Sequence, residues 1–302
     1  MDIQPRHWMM VGLLGFMWGG TFMVMELALR GMPPLWLAAA RIGFAAALTT
    51  LIWGLRGWRL FTGPAQAWGR LAVVGVLSTA LPFMLLAWGL KHVTSSYAGV
   101  SMATVPLLVL PLSFLFLPND KIGLHQVIGL CVGFIGVIIL IGPDALSSSG
   151  STAETAARLV CFGAALCYSI SSVTMRSLPP IDPIGLAAVP LIFGSCVVIS
   201  AAWAIEGAPV LPDGITIFWV ILLGLLPTAS ANLLRVMVVR EAGPIFMGLT
   251  NYQVPLWSVI LGALVLNEPL PGLLIVSMCL ILLGVGISQG PALRALWRRL
   301  RG

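Results

Sequence analysis

Thr228, Asn232 and Arg235 fall at i, i+4 and i+7 within an otherwise apolar run, so on a helix they share one face. A hydroxyl, an amide that both donates and accepts, and a guanidinium suit recognition of a zwitterionic head group. Arg235 has a second reading, in which its stem snorkels to the nearer interface. Tyr97, Ser101 and Thr104 repeat that spacing, and so do Phe246, Thr250 and Gln253, with Trp257 one turn further. Trp18, Thr21 and Met25 form an aromatic, hydroxyl and thioether stripe, and Tyr168, Ser171 and Met175 form another. Aromatic bodies with polar tips line mixed pockets, and methionines adapt to varied ligands. Ser and Thr in such stripes also make helix–helix hydrogen bonds, and that reading stays open for each residue.

The same residues exclude most other chemistry. There is no HExxH and no G-x-x-x-x-G-K-[ST], so neither a zinc hydrolase nor ATP-driven work is indicated. His7, His92 and His125 lie at segment ends and make no ligand cluster. Cys131, Cys161, Cys167, Cys196 and Cys279 all lie in apolar runs without a CxxC pair, as small core residues do. No metal, no cofactor and no enzymatic activity are expected. Arg41 is the deepest charge, and unpaired it would cost a few kcal/mol at mid-membrane. Glu26 is its expected partner; a local Glu26–Arg30 pair and a proton-coupling role for Glu26 are the alternatives.

The elements that must hold these stripes are membrane helices. Of 302 residues, 59% are hydrophobic and 9% charged, and the mean hydropathy is +1.03. A soluble domain carries about 25% charged residues. Apolar runs long enough to cross a bilayer, about 20 residues each, fall at 8–29, 34–55, 70–90, 93–117, 122–142, 157–177, 182–205, 215–239, 243–266 and 270–290. The first run is longer than a signal-peptide core and has no A-x-A site after it. With the N-terminus in the cytoplasm, eleven of the sixteen Lys and Arg residues fall on the cytoplasmic side, which satisfies the positive-inside rule. Both termini are then cytoplasmic. The surplus of Arg over Lys fits a bacterial inner membrane. The net charge of +6 therefore reads as topology. The expected partners are the lipid bilayer and a small-molecule substrate; nucleic acid is not one.

The chain repeats itself at an offset of 149 residues. Thr79-Ala80 matches Thr228-Ala229, Gly99 matches Gly248, and Val105-Pro106-Leu107 matches Val254-Pro255-Leu256. Five spans per half invert the second half relative to the first. The expected fold is all-α: ten transmembrane helices as two inverted five-helix repeats around a central cavity. The repeats occupy 1–142 and 157–290, the outer linker 143–156 and the basic tail 291–302. Pro106 and Pro255 interrupt corresponding helices, which points to a hinge near a midplane site.

Four motifs carry a family resemblance: Trp18-Gly19-Gly20-Thr21-Phe22, Ala38-Ala39-Ala40-Arg41, Leu90 to Ala98 with the following Pro106, and Asn267-Glu268-Pro269. Over the whole chain the sequence resembles the EamA-type branch of the drug/metabolite transporter superfamily. The resemblance implies a ten-helix secondary exporter of small metabolites working by alternating access. Within the family the chain is similar to bacterial amino-acid exporters. The sixth span departs from the family pattern with Cys167-Tyr168, and the first repeat ends Pro118-Asn119-Asp120 without the glutamate of the second. Few cations and a single acid within the spans favour neutral or zwitterionic cargo, amino acids above all. A multidrug or other metabolite exporter of the same fold, or a non-transporting membrane subunit, is the alternative.

Overall fold

The computed structural model describes residues 4–116, 123–142 and 152–301. Among them all regular structure is helical, and one isolated bridge joins Phe61 to Ile181. Among the described residues eight helices are long and apolar enough to cross a membrane. They are α1 (Pro5–Leu29), α2 (Pro34–Leu55), α3 (Trp68–Gly89), α4 (Ser95–Phe116), α5 (Leu124–Ile141), α6 (Thr152–Arg176), α7 (Pro183–Glu206) and α8 (Gly214–Glu241). Two shorter apolar helices of 17 residues follow, α9 (Thr250–Leu266) and α10 (Gly272–Ser288). At about 1.5 Å per residue each is about 26 Å long, close to the hydrocarbon thickness of about 30 Å. The helical turn Pro244–Met247 precedes α9, and α11 (Gly290–Arg301) ends the chain.

The ten apolar helices coincide with the ten expected spans, with shifts at the ends. The sixth begins at Thr152 and not 157, because Thr152 to Ala156 propagate the helix and Glu154 pairs with Arg158 one turn on. Residues 143–151, which hold the serine cluster of the outer linker, lie outside the described residues, as do Pro118 to Lys121. The basic tail is helical: Leu296 is buried against Val11, Val238 and Phe246, while Arg294 and Arg298 are exposed.

Sequence explains the helix starts. Pro5, Pro34 and Pro183 occupy first turns, where a missing N–H costs nothing. Thr94, Asp182 and Asp213 accept backbone N–H groups as caps. Two of these helix starts, those of α2 and α4, are also closed from a distance. Glu206 accepts the N–H groups of Leu35 and Trp36, both at 3.0 Å. Glu268 accepts those of Ser95 and Ser96, at 2.7 and 3.0 Å, and the Ser96 hydroxyl. Burial pushes the Glu268 carboxyl up, but the Ser96 and Ser95 donors outweigh it and hold the group below the usual carboxylate range.

Helix pairings come in counterparts related by a shift of five helices. Helix α1 packs on α9 as α6 packs on α4; α1 meets α8 as α6 meets α3; α2 meets α8 as α7 meets α3. The pairs α2–α7, α4–α9 and α5–α10 are their own counterparts. Helices α5 and α10 approach through glycines: a Cβ on Gly284 would lie 2.5 Å from both the Gly129 carbonyl and the Gly133 nitrogen. No side chain fits there, so the Gly129-x-x-x-Gly133 spacing is a close-packing seam. Large apolar side chains such as Leu51, Leu55, Ile135, Ile138, Leu264 and Leu273 face outward. In water such a surface would aggregate; in lipid it is the required one.

The two ends of the bundle differ. Here the terminal face is the one where α1 begins, with Arg6 and His7 each 3.3 Å from Glu241. The same face carries the hydrogen bonds Thr62 N–H to Pro180 carbonyl and Asp182 N–H to Leu60 carbonyl. The far face holds the Glu206 and Glu268 closures.

Candidate functional site

A cavity of about 310 Å³ lies between α1–α4 and α6–α9. Among the described residues no lining residue comes from α5 or α10, which leaves that pair at the side of the bundle. The volume is at the lower end of small-molecule pockets. Met175 stands one residue from the end of α6 and Leu186 three from the start of α7. On those helices the cavity therefore reaches the terminal face.

Two matched irregularities frame the centre. Helices α3 and α8 each widen into a π turn, at Val76–Ala80 and Leu225–Ser230, 149 residues apart. Such turns expose backbone groups and often sit at functional sites. Pro227 has no N–H for the Leu223 carbonyl, and the Thr228 hydroxyl donates there at 2.8 Å instead. The same Thr228 oxygen accepts Arg41 Nε at 2.8 Å. Trp18 Nε1 donates to the Pro227 carbonyl at 3.2 Å, and Asn232 Nδ2 to the Thr228 carbonyl at 2.8 Å. In the other π turn, the Thr79 hydroxyl donates to the Gly75 carbonyl at 2.6 Å.

Arg41 is buried, with 3% of its surface exposed. Its NH1 points to Met25 Sδ at 3.1 Å, and its guanidinium lies 3.8 Å from the Phe83 ring centroid. The expected Glu26–Arg41 pair does not form. Glu26 faces Arg30 at 3.9 Å, one turn on along its own helix. No carboxylate lies within ion-pair distance of Arg41 among the described residues.

Of the residues singled out in the sequence, Trp18, Thr21, Thr79, Tyr168, Ser171, Thr228, Asn232 and Arg235 line the cavity together with Arg41. The α4 and α9 stripes do not. Tyr97 is buried beneath Arg158, at 5.8 Å. The Ser101 and Thr104 hydroxyls donate to the Tyr97 and Ser101 carbonyls at 2.9 and 2.7 Å. Phe246 sits edge-on to Trp8 at 4.9 Å, in the apolar cluster of the terminal face. Thr250 is buried beside Met247. Gln253 fills the space over Gly15, and Trp257 that over Gly19, with its edge toward Phe16. The reason is helical phase. The close α1–α9 and α4–α9 packings claim these faces, and the cavity takes the neighbouring one, Met102 and Val105 on α4 and Asn251 and Val254 on α9.

Sequence reading missed those four, although the signal was present. Pro106 and Pro255 remove the N–H that would serve the carbonyl four residues earlier, and those residues are Met102 and Asn251. Pro190 stands in the same relation to Leu186, and both line the cavity. Pro106 and Pro255 themselves do not.

Eight pairs of lining residues are 149 apart: Phe22 and Ser171, Arg41 and Pro190, Ser78 and Pro227, Thr79 and Thr228, Phe83 and Asn232, Leu86 and Arg235, Met102 and Asn251, Val105 and Val254. The cavity is thus built from corresponding positions of the two halves.

Comparison with known proteins agrees with this division. The model of the EamA-like transporter family matches twice, at residues 7–142 and 155–288. An uncharacterized transporter of Archaeoglobus fulgidus is 24% identical over 93% of this chain and 98% of its own length. The uncharacterized transporter YoaV of Bacillus subtilis is 24% identical over 91% of this chain and 94% of its own. Protein PagO of Salmonella typhimurium is 33% identical over 120 residues, which span 40% of this chain and 39% of PagO. One crystal structure superposes with a TM-score of 0.65 over 97% of this chain and 99% of its own, at 19% identity, a likeness of fold. The apolar helices, the paired halves and the double match lead to one assignment: the chain is an integral membrane protein of the EamA-like transporter family.

Proposed function

We propose that this protein is a secondary transporter that exports small metabolites with an apolar body and a zwitterionic head, amino acids foremost, by alternating access. The observation that carries the proposal is the cavity lined by corresponding residues of both halves. Ten helices in two inverted five-helix repeats can exchange conformations, so that one cavity opens to either side in turn. The paired helix packings and the paired π turns support the inverted repeat. The lining suits the cargo. Trp18, Phe22, Phe83 and Leu86 offer an apolar surface, Arg41 a place for a carboxylate, and Asn232 and Asn251 amide oxygens for an ammonium.

With the terminal face in the cytoplasm of a bacterial inner membrane, the cavity reaches inward. The Glu206 and Glu268 closures of α2 and α4 then lie on the outer side and mark what must part for release. The direction of export rests on the family resemblance, and the orientation in the membrane on the arginine bias. The test is flux through purified protein in proteoliposomes, with labelled phenylalanine, tryptophan and methionine beside a sugar phosphate and a quaternary ammonium dye. Amino-acid flux above empty liposomes supports the proposal. Flux of the dye or the phosphate alone keeps the transporter and overturns the cargo. No flux of any probe from folded protein favours a non-transporting subunit.

A further inference from the structure

Several arginines at the helix ends find an acid or a carbonyl: Arg6 pairs with Glu241 at 3.3 Å, Arg30 with Glu26 at 3.9 Å, and Arg158 donates to the Ile141 carbonyl at 3.0 Å. Arg41 and Arg235 line the cavity, and neither has a carboxylate within ion-pair distance among the described residues. Among the described residues the lining contains no Asp, Glu or Lys, so the two fixed charges they bring to it are both positive. A guanidinium has five N–H donors. In Arg41 one serves Thr228 and one the Met25 sulfur, a soft, weak acceptor. Phe83 covers one face of the group, so an acceptor must approach in its plane, the geometry of a bidentate carboxylate. A residue present only to tie α2 to α8 would need one neutral hydrogen bond. A cation buried in a membrane protein at a cost of a few kcal/mol is ordinarily paired.

We infer that the substrate carboxylate completes the Arg41 site, and that the carboxylate, not the ammonium, is the group the cavity requires. The preferred cargo class is then the amphipathic carboxylate, with amino acids as one case and nitrogen-free acids as another. Arg235 lies seven residues along α8 from Thr228, about 10 Å at 1.5 Å per residue. It adds to the positive field toward the terminal face. This inference rests on the transporter reading and narrows its cargo.

Three probes of one shape separate the head groups: phenylalanine, 3-phenylpropionate and phenethylamine. Each is titrated against purified protein by ligand-induced thermal shift and tested for competition with labelled phenylalanine in proteoliposomes. The expected result is binding of both acids, with the amine weaker by about tenfold or more, the value of one charge-assisted hydrogen bond. Phenethylamine binding as tightly as 3-phenylpropionate overturns the inference and leaves the transporter intact. Failure of all three to bind folded protein overturns the aromatic amino-acid reading and the inference together. Arg41→Lys keeps the charge and loses the fork, and should weaken both acids while leaving the amine unchanged. Equal loss of all three probes in folded Arg41→Lys protein would make Arg41 scaffold. Arg235→Gln should weaken the acids less than Arg41→Lys does.

Discussion

The two halves of the molecule share a scaffold and differ in what they show the cavity. In the first half Gly75 lies against the Pro190 carbonyl and Phe193; a Cβ there would come within 2.8 and 2.9 Å of them. In the second Gly224 lies against the Arg41 carbonyl and Phe44, where the distances would be 3.1 and 2.8 Å. Those partners are 149 residues apart, so the contact is made twice. Most of the side chains that line the cavity have diverged, Thr79 with Thr228 and Val105 with Val254 excepted. Phe22, Phe83, Leu86 and Met102 stand where the second half has Ser171, Asn232, Arg235 and Asn251. Arg41 stands where the second half has Pro190. Close backbone packing permits few residue types and is duplicated; a wall facing a void has no such constraint.

The largest expected effect attacks the shared scaffold. Gly75→Val and Gly224→Val should each abolish monodisperse, folded protein on size-exclusion chromatography in detergent, because rigid backbone and Cβ atoms cannot yield. If one variant folds well and the other does not, the scaffold is not duplicated in energy. Next come the diverged positions. Arg41→Ala should abolish phenylalanine flux in proteoliposomes, while Pro190→Ala lowers it by no more than a few-fold. The reverse order would place the key contact on the wrong half. The π turns give a graded pair. Thr228→Val loses the bonds to Arg41 and to the Leu223 carbonyl, about 1 kcal/mol or more each, and should cut substrate affinity about tenfold. Thr79→Val loses a bond to its own helix and a long contact, 3.4 Å, to the Pro190 carbonyl, and its effect should be a few-fold at most.

How far the sequence was legible follows the same division. All ten apolar helices were readable from hydropathy, because lipid demands an apolar exterior on every one. The 149-residue offset was readable because Thr79-Ala80 and Val105-Pro106-Leu107 recur as Thr228-Ala229 and Val254-Pro255-Leu256, in the cavity wall and beside it. Thr228, Asn232 and Tyr168 were readable as polar residues without a surface to reach. Helical phase was not. Tyr97 with Ser101 and Met102 with Val105 are both regular stripes on α4, and only the approach of α9 decides which is covered. The Glu26 pairing failed for a similar reason: equal depth in the membrane says nothing of azimuth, and Arg30 was already one turn away.

The smallest effect concerns the far-face closures. Glu268 is held below the usual carboxylate range, so its stabilisation is complete above that range and is lost as pH falls through its folded value. Glu268→Gln should lower the melting temperature by a few degrees at neutral pH, for about 1–2 kcal/mol, and should flatten the acid side of the stability curve. An unchanged acid side would remove Glu268 from that role. Glu206→Gln, which leaves the α2 closure one carboxylate short, should match it in size at neutral pH.

The central claim is that the two halves exchange roles around one cavity, and Leu186 and its counterpart Leu37 test it most directly. Leu186 lines the cavity near the terminal face, while Leu37 is fully buried near the far face. In a background lacking the five native cysteines, Leu186→Cys and Leu37→Cys are labelled by a membrane-impermeant maleimide from either side, with and without saturating substrate. Alternating access predicts reciprocity: Leu186→Cys reacts from the terminal side, Leu37→Cys from the far side, and conditions that slow one speed the other. Parallel changes at both positions, or a Leu37→Cys that never reacts in actively transporting protein, would contradict it.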